Sequence, residues 1–263
     1  MKRFVKAQAC GNDFLIVEDK CDPELAIRLC ARNTGIGADG IEFLDWTGDS
    51  SGRIRLVNAD GSIAEISGNG TRCVAAWIAY HKRLSSGAII TLETDAGLRE
   101  SRLVHVDGQT FEFAAGMGVP VIQDKEITLR DGMRVGGVAV STGNPHFVIF
   151  ADGSFEPCGR PWQDLGREIC SHVDFPVGTN VEFVNIIDTN KIEIRIFERG
   201  VGPTTSSGTG TCATAAATIA RREGSAHLVV RAPGGEQLVD WAGVGSEMTL
   251  TGPAELICTG EAW

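Results

Sequence analysis

The stretch SGNGTRC, from Ser67 to Cys73, places a serine before two glycines and leads into an apolar helical pattern. The stretch SGTGTC, from Ser207 to Cys212, repeats this order and also leads into a helical pattern of small residues. The copies begin 140 residues apart, about half of the 263-residue chain, and a strand-rich segment follows each of them. The repeat therefore predicts two structurally related halves.

The rest of the chain predicts a mixed α/β (α+β) fold with strands in excess. Helical patterns are PELAIRLCARN (23–33), RCVAAWIAYHKRL (72–84), PWQDLGREIC (161–170) and CATAAATIARRE (212–223). Alternating or β-branched runs predict strands at 53–57, 88–94, 102–106, 146–150, 191–197 and 227–232. The glycines and proline of AAGMGVPVI (114–122) indicate a linker. We expect domains at 1–116 and 117–249, with a terminal strand at about 250–263 that can return to the first.

Composition favours a small-molecule partner. With 34 acidic against 24 basic residues, the net charge of -10 argues against binding to nucleic acid or to an anionic membrane surface. No apolar run is long enough to cross a bilayer, and polar residues interrupt the N-terminal stretch where a signal peptide would be apolar. The eight cysteines contain no CxxC pair and read as mostly reduced, buried thiols. We expect a cytoplasmic protein without a metal site.

The two glycine turns have a chemical and a structural interpretation. The first amides of a helix lack intrahelical partners and carry partial positive charge, so they can hold a carboxylate or an oxyanion. Alternatively, Ser67 and Ser207 are only helix caps, for which serine is a preferred residue. A repeated S-G-x-G-T is more specific than capping requires. A third glycine motif, GIGADG (35–40), has dinucleotide-binding spacing but follows a helical pattern, so we reject it as a nucleotide site.

Six segments together resemble the diaminopimelate epimerase family, nearly from end to end. They are GNDF (11–14), GIGADG (35–40), NADGSIAEISGNGTRC (58–73), GNPHFVIF (143–150), FPVGTNVEF (175–183) and ERGVGPTTSSGTGTCATAAA (198–217). The resemblance implies two pseudo-symmetric domains, each a curved, mostly antiparallel sheet around a central helix, with the active site in the cleft between them. It also implies a homodimer and a cofactor-independent inversion of an amino acid's α-carbon by two acid/base groups, one per domain.

The same resemblance implies the site residues. Ser67 and Ser207 occupy the positions of the family's two catalytic cysteines, and His146 and Glu198 match residues that tune the acid/base pair. Substrate-binding positions are Asn12, Asn58, Gly68, Asn69, Asn144, Asn180, Arg199, Gly208 and Thr209. Arg199 offers a planar fork for a carboxylate, and the asparagine amides offer donors and acceptors. The implied reaction converts L,L-diaminopimelate to meso-diaminopimelate, in lysine and peptidoglycan precursor synthesis.

Two departures from the family pattern affect this chemistry. Both cysteines are replaced by serine, whose hydroxyl does not ionise near pH 7 without strong activation, whereas a helix N-terminus can lower a thiol pKa towards neutrality. Pro203 stands where the family has glutamate, and with Ser206 it argues against a simple engineered Cys→Ser exchange. Cys73 and Cys212 fall inside the predicted helices, so we expect them to have a structural role. Cys10 adjoins the GND stretch and could reach the site.

Three alternatives stay open at this point. One is a single-base isomerase or dehydratase that uses Glu65, Asp39 or His146. Another is a catalytically silent protein that binds an amino acid. The last is a serine hydrolase that uses Ser207 or Ser67 with His146, although neither serine has the G-x-S-x-G context.

Overall fold

A computed structural model of the chain describes residues 1–151, 153–222 and 224–263, apart from the side chain of Cys158. Two sequence predictions extend beyond these residues: the end of the last helical pattern at Glu223, and a buried thiol at Cys158. The chain forms two compact units. Unit 1 comprises Met1–Ala115 and Thr251–Trp263, and unit 2 comprises Gly116–Leu250.

Unit 1 contains two helices and a sheet whose pairing closes on itself. Its elements are β1 (Lys2–Ala9), β2 (Asn12–Val17), α1 (Pro23–Cys30), β3 (Gly40–Gly48), β4 (Ser51–Asn58), β5 (Ile63–Ala64), α2 (Gly68–His81), β6 (Ile89–Thr94), β7 (Gly97–Asp107), β8 (Thr110–Gly116) and most of β17 (Met248–Ala262). The strands pair in the order β17, β1, β2, β3, β4, β6, β7, β8, and β8 pairs again with β17.

Unit 2 repeats this connectivity. Its elements are β9 (Val121–Thr128), β10 (Arg134–Ser141), β11 (Pro145–Phe150), a short 3-10 helix (Pro157–Gly159), α3 (Trp162–Cys170), β12 (Asn180–Asp188), β13 (Lys191–Glu198), β14 (Gly202–Thr204), α4 (Gly208–Arg221), β15 (His227–Ala232) and β16 (Gly235–Trp241). The strands pair in the order β9, β10, β11, β12, β13, β15, β16, with β14 on β13.

The repeat is visible in the parallel pairs, because parallel neighbours need a crossover connection. In unit 1, α1 connects parallel β2 and β3, and α2 connects parallel β4 and β6. In unit 2, α3 connects parallel β11 and β12, and α4 connects parallel β13 and β15. Every other pair whose register is described is antiparallel. The predicted α+β class and the predicted duplication are confirmed.

Each unit packs its sheet around one central helix of small residues. Helix α2 contacts β1, β2, β3, β6 and β7, and α4 contacts β10, β11, β12, β15 and β16. Ala213, Ala215, Ala216 and Ala217 on α4 are fully buried, as are Ala75 and Ala76 on α2. Short side chains let strands approach the helix from several directions. The outer helices α1 and α3 bury one face each against the opposite side of the sheet.

Candidate functional site

The two serines of the glycine turns cap the central helices. Ser67 and Ser207 have extended backbones, with φ of -123° and -149°. The Ser67 Oγ accepts a hydrogen bond from the Gly70 amide at 3.1 Å, and the Ser207 Oγ accepts one from the Gly210 amide at 3.2 Å. Both serines are therefore helix caps, as the structural interpretation predicted. The backbone amides at the start of each helix still point along the helix axis, which is the orientation that binds an anion.

A second repeated contact places an asparagine beside each helix start. Asn69 donates from Nδ2 to the Asn12 Oδ1 at 3.3 Å in unit 1. In unit 2, the Asn144 Nδ2 donates to the Thr209 Oγ1 at 3.4 Å. Asn12 and Asn144 follow Gly11 and Gly143, which adopt φ of 78° and 104°. Each predicted Gly-Asn pair thus forms a tight turn whose amide group contacts the second residue of a central helix.

Charged residues fix the orientation of the Asn12 amide. The Asp39 carboxylate accepts from the Asn12 Nδ2 at 2.5 Å and from the Arg32 guanidinium at 2.6 Å. Burial alone would raise the pKa of Asp13, but hydrogen bonds from Arg32 and Lys6 outweigh it and lower that pKa. The Asp39 carboxylate already accepts hydrogen bonds from Asn12 and Arg32, so Asp39 is a poor candidate for the base of a single-base isomerase. Glu65, the other carboxylate considered, is exposed.

In unit 2, His146 belongs to a buried polar chain. Its Nδ1 lies 2.8 Å from the Glu182 Oε1, and its Nε2 lies 2.9 Å from the Asn144 Oδ1. The side chains of His146 and Glu182 are both fully buried. Both ring nitrogens of His146 therefore face oxygen atoms of this chain. His146 has no nitrogen left for a serine, which argues against the hydrolase alternative.

The hydroxyl of Ser207 lies beside the carboxyl group of Glu198 and favours its ionised form. Burial raises the pKa of Glu198, and the negative charge of Glu182 adds to the increase. The hydrogen bond from Ser207 and the charge of His146 oppose it, but the pKa stays above its ordinary value. A raised carboxyl pKa beside a hydroxyl is an arrangement suited to general acid/base catalysis.

The remaining predicted residues lie at strand ends. Asn180 begins β12, where its Oδ1 accepts from the Arg199 amide at 2.9 Å and its Nδ2 donates to the Pro145 carbonyl at 3.3 Å. The exposed Arg199 packs on Gly178 and donates to the Val177 carbonyl at 2.5 Å. In unit 1, Asn58 ends β4 and donates to the Ser62 Oγ at 3.0 Å. These contacts do not connect Asn58 to the start of α2 or Arg199 to the start of α4.

Two buried carboxyl groups escaped the sequence reasoning. Glu42 on β3 and Glu182 on β12 are fully buried and occupy equivalent positions below the two glycine turns. Glu182 has His146 as a partner, whereas neither oxygen of Glu42 has a hydrogen-bond partner within the described structure. Burial raises the pKa of Glu42 to about 8. The signal was a glutamate inside an apolar strand in both halves, in GIEFL (40–44) and NVEFV (180–184).

The cysteines give a mixed result. Cys73 and Cys212 are fully buried within α2 and α4, as expected, and burial raises the pKa of Cys73. Cys10 is also buried, at 4% exposure. Five of the seven cysteines whose side chains are described are buried, as expected for most of them, whereas Cys258 is exposed and Cys21 is only partly buried. Burial makes the Cys73 thiol a poor acid/base group, because desolvation disfavours the thiolate.

The described residues contain no group of three or more His, Cys, Asp or Glu side chains arranged to hold a metal ion. Within the same part of the chain, none of the helices has the length and apolar character needed to span a membrane. The rejected GIGADG segment leads directly into β3, which is consistent with its exclusion as a nucleotide site.

Comparisons with known proteins connect this geometry to a family. A family model described as diaminopimelate epimerase matches residues 4–122 and 138–257. Proteins named diaminopimelate epimerase from Desulforudis audaxviator and Acaryochloris marina are 36% and 35% identical to this chain. Both alignments cover 98% of this chain, and they cover 98% and 97% of the respective relatives. A further such protein, from Rippkaea orientalis, is 33% identical over 98% of this chain and 97% of its own length.

Solved structures share the fold at lower identity. A phenazine biosynthesis protein of the PhzF family from Bacillus anthracis aligns with a TM-score of 0.72 and 16% identity over 100% of this chain and 99% of that chain. A hydroxyproline epimerase from Agrobacterium vitis, with bound trans-4-hydroxy-L-proline, aligns with a TM-score of 0.69 and 17% identity. That alignment covers 98% of this chain and 91% of the epimerase. These structures establish the fold alone.

Proposed function

Because the chain belongs to the diaminopimelate epimerase family, we propose that it converts L,L-diaminopimelate to meso-diaminopimelate by proton transfer at one α-carbon. The family is one of isomerases, as the names of the relatives state. The proposed reaction needs no cofactor and belongs to lysine and peptidoglycan precursor synthesis in the cytoplasm. We extend the proposal to a homodimer, as the family resemblance suggests.

The observation that carries the proposal is the position of the Ser207 hydroxyl beside the Glu198 carboxyl group. A serine hydroxyl alone is too weak an acid to replace a thiol, but a neighbouring carboxylate can take its proton as the hydroxyl takes one from the substrate. The α-carbon's C–H bond then breaks, a new O–H bond forms at Ser207, and the original hydroxyl proton passes to Glu198. In this proposal Glu198 supplies the acid/base capacity that the absent cysteine would provide.

Other contacts support binding of an amino acid. The carbanion formed at the α-carbon places negative charge on the neighbouring carboxylate, which the amides at the start of α4 can stabilise. Arg199 has the planar geometry that suits a carboxylate. Asn12 and Asn144 are held by Asp39 and Thr209 in fixed orientations, so less freedom is lost when the substrate binds.

The test is loss of the α-proton signal from L,L-diaminopimelate in deuterium oxide, followed by NMR. We expect exchange with the unaltered protein and faster exchange with the Ser67→Cys, Ser207→Cys double variant. A Glu198→Gln variant should lose exchange by at least about 100-fold, the usual contribution of a general base. Absence of exchange in both the unaltered and the double-cysteine proteins would contradict the proposal.

A second candidate is a protein that binds the amino acid without turning it over. It is favoured by one observation: both serine oxygens are already occupied as helix caps. Saturable binding of L,L-diaminopimelate by calorimetry, together with exchange only in the double-cysteine variant, would support this candidate over the first.

A further inference from the structure

The two central helices differ at their second and fifth residues. Counted from the first residue of each helix, α2 has Asn69 and Arg72 at these positions, and α4 has Thr209 and Cys212. Arg72 is 5% exposed, so its guanidinium lies inside unit 1. Burial of a charged group is costly unless hydrogen bonds compensate for it, and the positive end of a helix dipole does not favour a cation. The hydrogen bonds that Arg72 makes therefore indicate its role.

The guanidinium of Arg72 connects the start of α2 with the last strand of the chain. Its Nη2 donates to the Asn69 Oδ1 at 2.5 Å, and its Nε donates to the Pro253 carbonyl on β17 at 3.2 Å. Arginine has no acceptor, so each contact has only one possible direction. The planar guanidinium also meets two acceptors in a fixed relative geometry, which a lysine ammonium does not impose. The Asn69 side chain is thus held with its oxygen towards Arg72.

The direction set by Arg72 continues to the Asn12 amide. Because the Asn69 oxygen faces Arg72, the Asn69 Nδ2 faces Asn12 and donates to its Oδ1 at 3.3 Å. The Asn12 Nδ2 donates to the Asp39 carboxylate at 2.5 Å, and Arg32 holds the same carboxylate at 2.6 Å. A carboxylate only accepts, so both ends of this chain of hydrogen bonds impose the same direction. The Asn12 amide keeps one N–H and one oxygen lone pair for a ligand.

The corresponding amide in unit 2 has partners that do not fix its direction. The Asn144 Oδ1 lies 2.9 Å from the His146 Nε2. The amide also contacts the hydroxyls of Thr142 and Thr209, at 3.3 and 3.4 Å. A neutral imidazole nitrogen and a hydroxyl can each donate or accept, so these partners hold the plane of the amide but fit either placement of its oxygen and nitrogen. A fixed amide direction therefore distinguishes the first turn from the second.

We propose that Arg72 is a positioning residue that holds the Asn69 and Asn12 amides in one direction for ligand binding at the first turn. The proposal rests on the function proposed above, in which Asn12 binds the amino-acid substrate. Without the guanidinium, the Asn69 oxygen loses a charged donor, and its amide can turn away from the Asn12 Oδ1. The Asn12 side chain then rotates more freely, and more entropy is lost when the substrate binds. Arg72 acts through Asn69.

The experiment is a double-mutant cycle between Arg72 and Asn12, with binding of L,L-diaminopimelate measured by calorimetry. Arg72→Met removes the guanidinium and keeps an unbranched side chain. We expect this variant to weaken binding about tenfold, the usual value of one hydrogen bond. In an Asn12→Ala background the same change should weaken binding less than about twofold, because the amide through which Arg72 acts is absent. A merely structural role would give the same loss in both backgrounds.

Two more variants serve as controls. Arg72→Lys retains a group that only donates and should recover part of the lost affinity. Arg53→Met makes the same exchange at an exposed arginine of unit 1, which pairs with Glu93, and should leave binding unchanged. If Arg72→Met folds poorly, Asn69→Ala interrupts the same chain of hydrogen bonds and replaces it in the cycle. Equal weakening of binding in both backgrounds would overturn the role of Arg72.

A second measurement needs no ligand. In 15N-labelled protein, the side-chain amide protons of Asn69 and Asn12 report on the chain of hydrogen bonds by their exchange with solvent. Arg72→Met should speed this exchange about tenfold, and Arg53→Met should not change it. Unchanged exchange in Arg72→Met would contradict the positioning role. If the unaltered protein binds no diaminopimelate, the proposed function fails, and the amide exchange alone decides whether Arg72 holds the two amides.

Discussion

At the scale of single residues, the same side chain has two different surroundings in one molecule. Glu182 lies between Val148 and Ile196 in its sheet, and Glu42 lies between Ile16 and Leu56. The strands and their registers are equivalent, so the difference arises from one residue in the neighbouring strand, β2 or β11. His146 pairs with Glu182, whereas Phe14 offers Glu42 no polar atom.

The unpaired state of Glu42 predicts how stability depends on pH. Its pKa is about 8 in the folded protein, against an ordinary value of 4.5, so the folded state keeps a proton that the unfolded chain releases. The free energy of unfolding should therefore fall as pH rises through this window and level off above it, by up to about 1.4 kcal/mol per pH unit.

Urea unfolding of the unaltered protein and of Glu42→Gln, measured at several pH values from about 5 to about 8.5, checks this prediction. The stability of Glu42→Gln relative to the unaltered protein should increase steadily across this range. Glu93→Gln provides the control, since its carboxylate is exposed and paired. Parallel pH profiles for the unaltered protein and Glu42→Gln would contradict the assignment of a buried, protonated carboxyl group.

At the scale of elements, each central helix begins with a residue that has two roles. The serine oxygen caps the helix through the amide three residues later, and in the proposed function the same hydroxyl is an acid/base group. Capping and chemistry can be separated, because glycine tolerates the cap position almost as well as serine does, whereas alanine does not.

Substitution of Ser67 by alanine should lower the free energy of unfolding by about 1 kcal/mol, and substitution by glycine by only a few tenths. Both variants lack the hydroxyl, so both should lose epimerisation to the same extent. The same pair at Ser207 repeats the test on α4. Chemical denaturation and the NMR exchange assay are the two measurements. Equal stability of the alanine and glycine variants would show that the cap contributes nothing.

The elements also mark the limit of the sequence prediction. Periodicity identified all four α-helices but started α2 and α4 at residues 72 and 212, four residues late, because glycine and threonine interrupt the apolar pattern of the first turn. It missed several strands, among them β3 and β12, whose buried residues form short continuous runs without alternation. Glu42 was missed for a related reason. Its carboxyl group is covered by the glycine turn at Gly70, and a contact between residues 42 and 70 is not local in sequence.

At the scale of the whole molecule, the repeated connectivity was predictable because the two turns share their order of residues. The closure of the sheet in unit 1 was harder to predict from the sequence. Strand β17 pairs with β1 from Lys2 opposite Ala262 to Gln8 opposite Glu255, and it also pairs with β8. Unit 1 is therefore completed by residues from the far end of the chain.

Removal of residues 251–263 should expose the backbone groups of β1 and destabilise unit 1 more than unit 2. Hydrogen exchange measured by mass spectrometry should show loss of protection in β1 and β8, with β10 to β13 less affected. Removal of Trp263 alone, which is 91% exposed, is the matched control and should leave β1 protected. Unchanged protection of β1 in the shorter chain would contradict this account.

The pairing of β1 with β17 also has a consequence during protein synthesis. A ribosome makes the chain from its first residue, so β1 leaves the exit tunnel long before its partner strand has been translated. All of unit 2 is translated in the meantime and can begin to fold on the nascent chain. Unit 1 is therefore translated first but completed only after unit 2, and one edge of β1 stays unpaired until β17 has been translated.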